Sequence, residues 1–383
     1  MMRKTAALAA CVLFISACGK KDPVLENCAL EHEKEFGGVY IKMGIDDFNQ
    51  LGFKYGDSVN VIFSNGYKLE DIPYYNGYYV DAGEALLIAY PGYDWIKAAV
   101  NYGEDLWERA SLKRLTETEL WKSAELEEHD TATGTLNERG KYLEIQEARD
   151  IHYSDDRKKY DSDVIFANFR NMTVGNLKEN AVYRSASPCD NQHQRAPYVD
   201  ALMKEAGVQC ILNLSDNDAK IEGYLQKEDF GSPYFKSLYE SGKVIPLALN
   251  MNYLSDDFAK KITDGFTKMS ETEGPYLIHC TEGKDRTGFV CMLLEALCGA
   301  SYEEIVDDYM ITYDNYYRIT LEKDPDKYRV IKEKNLDAML RTVIHDPDAE
   351  PETADLAAAA RAYLMHYGMS AESIDALLAK ITK

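Results

Sequence analysis

The feature that most constrains this chain is a short polar loop at residues 279–288, held between two apolar segments. It reads His-Cys-Thr-Glu-Gly-Lys-Asp-Arg-Thr-Gly, with apolar residues at 276–278 before it and at 289–294 after it. This order predicts a strand, a tight turn and a helix. A loop that turns into a helix directs backbone N–H groups inward, where the helix dipole adds partial positive charge. The pattern therefore predicts an anion-binding loop.

The side chains of this loop are of the types that a site for phosphoryl chemistry needs. The positive surroundings favour the thiolate of Cys280, which is a nucleophile. Arg286 offers a planar guanidinium for two phosphoryl oxygens. Thr287, at the predicted helix start, is placed to hydrogen-bond the thiolate and assist its departure. Gly283 permits a backbone conformation that a Cβ would resist. The predicted phosphate-binding positions are Thr281, Glu282, Gly283, Lys284 and Gly288.

The same spacing of cysteine and arginine occurs a second time, from Cys189 to Arg195. This segment has no predicted strand before it and no glycine inside it, and Ala196-Pro197 follows it. Because a bare spacing of two residue types is a weak signal, we interpret this copy as a coincidence within a loop.

The residues after about 165 alternate between predicted strands and predicted helices. Strands alternating with helices favour a mostly parallel sheet covered by helices, an α/β fold. The predicted strands are residues 181–184, 208–214, 244–249 and 276–279. The predicted helices are residues 197–206, 256–270, 287–299, 302–317, 325–345, 354–367 and 370–382.

Residues 36–165 have a different pattern, rich in glycine, tyrosine and hairpin signals. Residues 59–63 and 67–69 flank an Asn-Gly turn, which predicts a β-hairpin. Residues 94–100 are compatible with a helix or a strand, and the polar residues 127–160 favour a linker or a peripheral hairpin. We expect a mainly β domain over 36–165, with no role that the sequence defines.

The first residues have the organisation of an exported lipoprotein. Two basic residues precede an apolar run at 6–15, shorter than the roughly 20 residues that cross a bilayer. The run ends in Ile15-Ser16-Ala17-Cys18-Gly19, which resembles the lipobox of bacterial lipoproteins. The resemblance implies a signal peptide at 1–17, lipidation of Cys18, a tether at 18–35 and a lipid-anchored location in the bacterial cell envelope.

The charge of the chain limits its partners. The 383 residues include 43 Lys and Arg against 65 Asp and Glu, a formal net charge of −22. Phosphate backbones reward positive charge, so this balance argues against nucleic-acid binding. Anionic membrane surfaces repel it too, so a membrane contact would depend on the lipid anchor. The histidines and cysteines show no metal-ligand spacing, and we expect no metal and no other cofactor.

The loop at 279–288 resembles the signature of the protein-tyrosine-phosphatase superfamily, H-C-x-x-G-x-x-R-[S/T]-G. Its Gly-Lys-Asp-Arg-Thr-Gly ending is similar to bacterial tyrosine phosphatases that act on phosphotyrosine and phosphoinositides. Residues 168–171, 182–186 and 206–214 resemble further motifs of that family. The resemblance covers residues 166–383, for which it implies a tyrosine-phosphatase-like catalytic domain with the cysteine-phosphatase fold.

The resemblance also implies a mechanism and two classes of substrate. Cys280 would attack phosphorus to give a cysteinyl-phosphate, which water would hydrolyse. The substrate would be a phosphorylated protein carrying phosphotyrosine, or a phosphoinositide or inositol phosphate. The alternative is an envelope-anchored protein that binds phosphorylated ligands with weak activity or none. A rhodanese-type sulfurtransferase is disfavoured, because its active-site loop is shorter.

The general acid is the point at which this chain departs from the family pattern. Residues 213–215 read Asn-Leu-Ser where the family has Asp-Leu-Arg, and no Trp-Pro-Asp motif follows residues 244–249. Asp285 is our first candidate, because it resembles the loop aspartate of myotubularin-type lipid phosphatases. The alternatives are Asp216, Asp218, Asp256 and Asp257. Ser255 before the last pair is typical of a helix cap, which favours a structural role there.

Two charged loop residues bear on the choice of substrate. A carboxylate at Glu282 repels polyanionic substrates, whereas Lys284 attracts them. If Lys284 faces the pocket and Glu282 faces away, inositol phosphates are compatible with the site. The reverse arrangement favours monophosphates such as phosphotyrosine.

Overall fold

The computed structural model describes residues 22–35, 37–113, 122–123 and 125–383. The predicted signal peptide and Cys18 lie outside these ranges. No helix in the described ranges has the length and apolar character needed to cross a membrane. The chain forms two compact units. The first contains the described residues up to Tyr75, Ala85–Ala99 and Asp105–Lys141, and the second contains Asn76–Glu84, Val100–Glu104 and Tyr142–Lys383.

The first unit is built on a closed β-barrel. Its strands are β1 (Val24–Glu33), β2 (Gly38–Gly44), β3 (Ser58–Phe63), β4 (Lys68–Tyr75), β5 (Ala85–Ile88), β6 (Trp95–Val100) and β9 (Thr131–Glu138). The order around the barrel is β1-β2-β6-β5-β4-β3-β9. Two short helices, α1 (Ile45–Gln50) and α2 (Leu106–Ala110), and a short antiparallel pair, β7 (Leu112–Lys113) with β8 (Lys122–Ser123), complete it. The mainly β prediction is confirmed for this region.

Two segments of the first unit differ from their predicted state. Residues 24–33 of the predicted tether form β1, whose pairing with β9 shifts register between Leu25 and Cys28. That bulge interrupts the period-2 pattern by which a strand is read from sequence. The segment at 127–160, predicted as a linker or a peripheral hairpin, contains β9, which closes the barrel by pairing with β1 and β3. Its buried positions include Ala132 and Gly134, so the strand has little hydrophobic alternation.

The second unit contains a five-stranded sheet. The strands are β10 (Arg170–Asn171), β11 (Val182–Ser185), β12 (Cys210–Asn213), β13 (Val244–Pro246) and β14 (Tyr276–His279). Their order is β10-β11-β14-β12-β13, and β11, β14, β12 and β13 are mutually parallel. β10 is an antiparallel edge strand. The predicted α/β architecture with a mostly parallel sheet is therefore confirmed.

Helices cover this sheet. They are α3 (Leu143–Arg149), α4 (Asp163–Phe166), α5 (Ala196–Glu205), α6 (Asp218–Leu225), α7 (Pro233–Glu240), α8 (Asp256–Glu271), α9 (Asp285–Leu297), α10 (Tyr302–Tyr317), α11 (Pro325–Ile331), α12 (Ala338–Ile344), α13 (Leu356–His366) and α14 (Ala371–Ile381). A π-helical turn, Lys332–Asp337, joins α11 to α12. Short 3₁₀ turns lie at Arg157–Lys159 and Pro351–Thr353.

The core of the second unit centres on β14 and α9. All four residues of β14 are buried, as expected of a parallel strand covered on both faces. In α9 every residue from Thr287 to Leu297 is buried, so this helix is enclosed on all sides. The loop that connects β14 to α9 is therefore held at both ends by buried elements of the core.

Candidate active site

The loop at 279–288 lies at the carboxyl end of β14, between the ends of β11 and β12, and leads into α9. Ligands of open α/β sheets bind at this edge, outside the carboxyl ends of the strands. Cys280 follows β14 directly and is only 3% exposed. The Gly288 N–H donates to the Lys284 carbonyl oxygen at 2.7 Å, so the helical turn begins inside the loop.

Three consecutive carbonyl groups of the loop point away from its interior. The Thr281 oxygen accepts from the backbone N–H of Ser187 at 3.1 Å, and the Glu282 oxygen accepts from Tyr316 Oη at 2.7 Å. The Gly283 oxygen accepts from a side-chain amide at 3.1 Å. Carbonyl and N–H point in opposite directions across a trans peptide, so the next three N–H groups face the other side. Among the described residues none of these N–H groups, at 282–284, has an acceptor. The arrangement is a cradle for an anion.

Gly283 is required at its position for two reasons. Its φ is +71°, in the left-handed region that residues with a Cβ avoid. A Cβ there would also lie 2.3 Å from the backbone oxygen of Ser185. The glycine that the sequence singled out therefore allows the loop to pass close to β11.

Arg286 is fixed at the edge of the loop by two hydrogen bonds. Its Nη1 donates to the Leu249 carbonyl oxygen at 3.1 Å, and its Nη2 donates to Thr281 Oγ1 at 3.2 Å. Its Nε is buried and has no acceptor among the described residues. A buried donor without a partner is costly, so Nε is available to an oxyanion at the loop.

The loop also contains two uncharged polar side chains, His279 directly before Cys280 and Thr287 in the first turn of α9. His279 is fully buried, and burial lowers its pKa to about 3, so the imidazole is neutral. Its Nδ1 lies 3.3 Å from the Cys280 carbonyl oxygen, and because that oxygen only accepts, Nδ1 carries the proton. The buried hydroxyl of Thr287 has no hydrogen-bond partner within the described part of the chain. Its action on the thiolate stays a prediction.

Lys284 is the centre of the charges at the rim of the loop. Its Nζ lies 3.2 Å from Glu282 Oε2, 3.7 Å from Asp285 Oδ2 and 3.2 Å from Tyr317 Oη. Burial disfavours its charged form, but Asp285, Tyr317 and Glu282 outweigh burial and raise its pKa well above the usual range. Lys284 therefore remains a cation, and it forms an ion pair with Glu282.

A buried ionic network supports the loop from behind. Asp308 on α10 accepts from Arg170 Nε at 2.9 Å and from Arg184 Nη1 at 2.6 Å. Arg170 Nη1 donates to Asn168 Oδ1 at 3.0 Å, and Asn168 Nδ2 donates to the Gly283 carbonyl oxygen at 3.1 Å. Arg184 Nη2 reaches the same oxygen at 3.4 Å. The network holds one of the outward carbonyls and so positions the cradle.

A second buried carboxyl, on Glu295, adjoins this network. Burial raises the pKa of Glu295 well above its usual range, and Asp308 adds to the effect. Burial acts on Asp308 in the same direction, but Arg170 and Arg184 overcome it and hold the pKa of Asp308 below its usual range. Glu295 is therefore protonated and Asp308 ionised, which avoids two buried like charges.

The sequence analysis pointed to only some of the residues of this network. Arg170 and Arg184 lie in segments that resemble family motifs, but Asp308 was not singled out. The signal was an aspartate on the apolar side of a helix, since Ile305, Tyr309 and Thr312 around it are buried. A buried aspartate needs a cationic partner, which the sequence pattern does not identify.

The second cysteine–arginine segment builds no cradle. Arg195, 2% exposed, donates to the Phe166 carbonyl oxygen at 2.9 Å and to Asp155 Oδ1 at 2.7 Å. Its guanidinium also lies 4.9 Å from the ring centre of Tyr316, the residue that holds the Glu282 carbonyl. Burial raises the pKa of Cys189, so its thiol is protonated and unreactive. The role of Arg195 is thus in packing.

The candidate general acids lie in different surroundings. Asp285, in the first turn of α9, is 36% exposed and lines a cavity beside the loop. Asp216 is buried and accepts from Asn213 Nδ2 at 3.1 Å and from Tyr224 Oη at 3.3 Å. Asp218 accepts from Tyr239 Oη at 3.1 Å. Asp285 is the candidate that belongs to the loop itself.

Asp256 and Asp257 occupy the first turn of α8, which Ser255 caps by accepting from the Phe258 N–H at 3.3 Å. Asp257 also forms an ion pair with Lys261 at 2.8 Å. The helix-cap interpretation of this segment is confirmed.

The cavity beside the loop has a volume of about 250 Å³. It lies within the second unit, and two of its walls come from the segments Asn76–Glu84 and Val100–Glu104. Lys284 and Asp285 connect it to the loop, whereas Glu282 does not line it. Of the two arrangements considered from sequence, the structure thus has Lys284 on the cavity.

Part of the chain is similar to known proteins. A solved structure, the core catalytic domain of the PP-IP phosphatase SIW14 from S. cerevisiae in complex with citrate, matches with 20% identity. The match covers 43% of this chain and 83% of that chain, with a TM-score of 0.26. The comparison with curated proteins found no match. A family model described as the tyrosine phosphatase family matches residues 166–383. Since that region is more than half of the chain and contains the whole loop, the chain belongs to the tyrosine phosphatase family.

Proposed function

We propose that the second unit is a cysteine-dependent phosphatase that hydrolyses phosphate monoesters through a cysteinyl-phosphate on Cys280. Membership of the family supports a phosphatase activity. The observation that carries the mechanism is the cradle, in which the N–H groups at 282–284 have no acceptor in the described part of the chain and lie in the same loop as the buried thiol of Cys280.

In the first step the Cys280 thiolate attacks phosphorus. The S–P bond forms while the bond from phosphorus to the ester oxygen breaks, and the leaving oxygen takes a proton from the Asp285 carboxyl group. The loop N–H groups and Arg286 stabilise the charge on the three non-bridging oxygens. These donors are already in place, so little reorganisation accompanies the reaction.

In the second step water replaces the thiolate. The Asp285 carboxylate takes a proton from the attacking water, an O–P bond forms and the S–P bond breaks. Inorganic phosphate leaves, and the hydroxyl of Thr287 stabilises the departing thiolate of Cys280. Cys280, Arg286, Asp285 and Thr287 are thus the proposed catalytic residues.

The charges at the rim support small phosphorylated substrates over phosphotyrosine in protein. Lys284 lines the cavity as a cation, and Glu282 is tied to Lys284. Polyanionic compounds such as inositol phosphates are compatible with this arrangement. A phosphorylated protein is the second substrate class that we propose.

Replacement of Asp285 by asparagine tests both the activity and the assignment of the acid. We expect kcat to fall by about 10²–10³-fold on an alkyl phosphate, whose leaving oxygen needs a proton. With p-nitrophenyl phosphate, whose leaving group needs none, the loss should be much smaller. The steady-state rate of phosphate release measures kcat on both substrates.

Asp216→Asn and Asp256→Asn are the matched controls, and each should leave this leaving-group dependence unchanged. A selective loss in one of them would move the acid to that residue. If the wild-type protein binds phosphate compounds without turnover, the chain is a phospho-ligand binding protein instead.

We also propose that the chain is exported and anchored by a lipid on Cys18 in the bacterial cell envelope. The support is the segment at 15–19 and the basic and apolar residues before it. In cells grown with labelled fatty acid, the wild-type protein should carry label and sediment with membranes. Cys18→Ser should lose both, with Cys28→Ser as the control. Unlabelled wild-type protein would contradict the anchor.

A further inference from the structure

We infer that the cavity beside the loop is a subsite for a second phosphate group of a small substrate, recognised by Arg149 and Lys334. The inference rests on the proposed function, because it names the class of substrate that the same site hydrolyses. That class is a small molecule with two phosphate groups, of which one reaches Cys280 and the other occupies the cavity.

The position of the cavity is the first support. Lys284 and Asp285 belong both to the loop and to the cavity wall, so the cavity adjoins the loop that would bind the reacting phosphate. Its volume of about 250 Å³ suits a compact group rather than a folded peptide segment.

Two cations on the cavity wall are the second support. Among the described residues, neither Arg149 nor Lys334 has an ion-pair partner, and Arg149 lies 5.6 Å from the ring centre of Tyr79. Asp81 is the opposing carboxylate on the wall, and Lys284 already pairs with Asp285. The cavity wall therefore has three cations, with Lys284 counted, against two carboxylates, an excess of one positive charge in a chain with a net charge of −22.

The backbone that presents Lys334 is irregular and held in place. Lys334 lies in the π-helical turn Lys332–Asp337, and such turns are frequent at functional sites. An ion pair of 3.0 Å between Lys332 and Asp337 spans the turn. Asn335 Nδ2 donates to Tyr313 Oη at 2.8 Å and fixes the residue next to Lys334.

The opposite wall has a strained residue of its own. Tyr102 has a φ of 45°, in the left-handed region that bulky residues avoid, and it lines the cavity together with Asp285. Strain of this kind persists where the surrounding structure imposes it, and it clusters at ligand sites. Tyr102 and Asp81 come from segments outside residues 166–383, the region that the family model matches.

Matched pairs of substrates that differ by one phosphate test the subsite. The pairs are myo-inositol 1-phosphate with myo-inositol 1,4-bisphosphate, and fructose 6-phosphate with fructose 1,6-bisphosphate. Charge-assisted contacts to a second phosphate should raise kcat/KM for at least one bisphosphate by about 10–100-fold over its partner. Arg149→Gln and Lys334→Gln should each reduce that ratio about tenfold or more.

Lys268→Gln is the control variant, because Lys268 is an exposed residue of α8 that does not line the cavity. Lys268→Gln also removes one positive charge, and it should leave the ratio of kcat/KM between bisphosphate and monophosphate unchanged. Thermal unfolding confirms that each variant is folded, and the exposed Lys334 provides a readout if Arg149→Gln does not fold.

The outcomes separate the two proposals. No hydrolysis of any phosphate ester by the wild-type protein overturns the proposed function. Hydrolysis with equal kcat/KM within each pair, or equal ratios in Lys334→Gln and Lys268→Gln, overturns the subsite alone. A preference for phosphotyrosine peptides over every bisphosphate also overturns it.

Discussion

Cys280→Ser is expected to lower kcat on phosphate monoesters by about 10⁴-fold, because a hydroxyl at this position is not ionised near neutral pH. The cradle remains intact, so substrate should still bind. Wild-type protein quenched in acid during turnover should carry one phosphate on Cys280 by mass spectrometry, and Cys280→Ser should carry none.

The chain contains its own control for this experiment. Cys189 has the same spacing to an arginine and is 2% exposed, so Cys189→Ser is a matched substitution of a buried thiol. We expect Cys189→Ser to retain activity within a few-fold. Full activity in Cys280→Ser, or its loss in Cys189→Ser alone, would remove the cysteinyl-phosphate mechanism.

Asp308→Asn is expected to lower the free energy of unfolding by about 3–5 kcal/mol, because it leaves the buried guanidinium of Arg184 without its counter-charge. Arg184 is 1% exposed, so water cannot replace the carboxylate. The urea midpoint should fall with little change in the slope. Activity should fall as well, since the network holds the Gly283 carbonyl oxygen.

The loss of unfolding free energy in Asp308→Asn should become smaller as pH falls. The pKa of Asp308 is held below its usual range, so its stabilisation is present above about pH 4 and disappears as pH falls further. The difference between wild type and Asp308→Asn should therefore shrink below about pH 4. Asp307→Asn, at the exposed neighbouring position, is the control and should change stability by less than about 0.5 kcal/mol. An equal effect of the two substitutions would contradict a supporting role for Asp308.

Local patterns were sufficient for the parallel strands and the longer helices of the second unit. The strand at 276–279 and the helix at 302–317 were predicted with the bounds that the structure has, because apolar runs and caps are properties of neighbouring residues. The helices α6 and α7 were missed, since each has only eight residues and buries a single one, Ile221 in α6 and Phe235 in α7.

The chemistry of the loop also followed from residue types at short spacing, because cysteine, glycine and arginine act within one turn of chain. The features that the sequence did not predict depend on contacts between distant segments. Closure of the barrel by β9, the pairing of Asp308 with Arg184, and the presence of residues 76–84 beside Lys284 each join parts of the chain that are far apart in sequence. Long-range packing and ion pairing determine these three features, and neither produces a periodic pattern in the order of the residues.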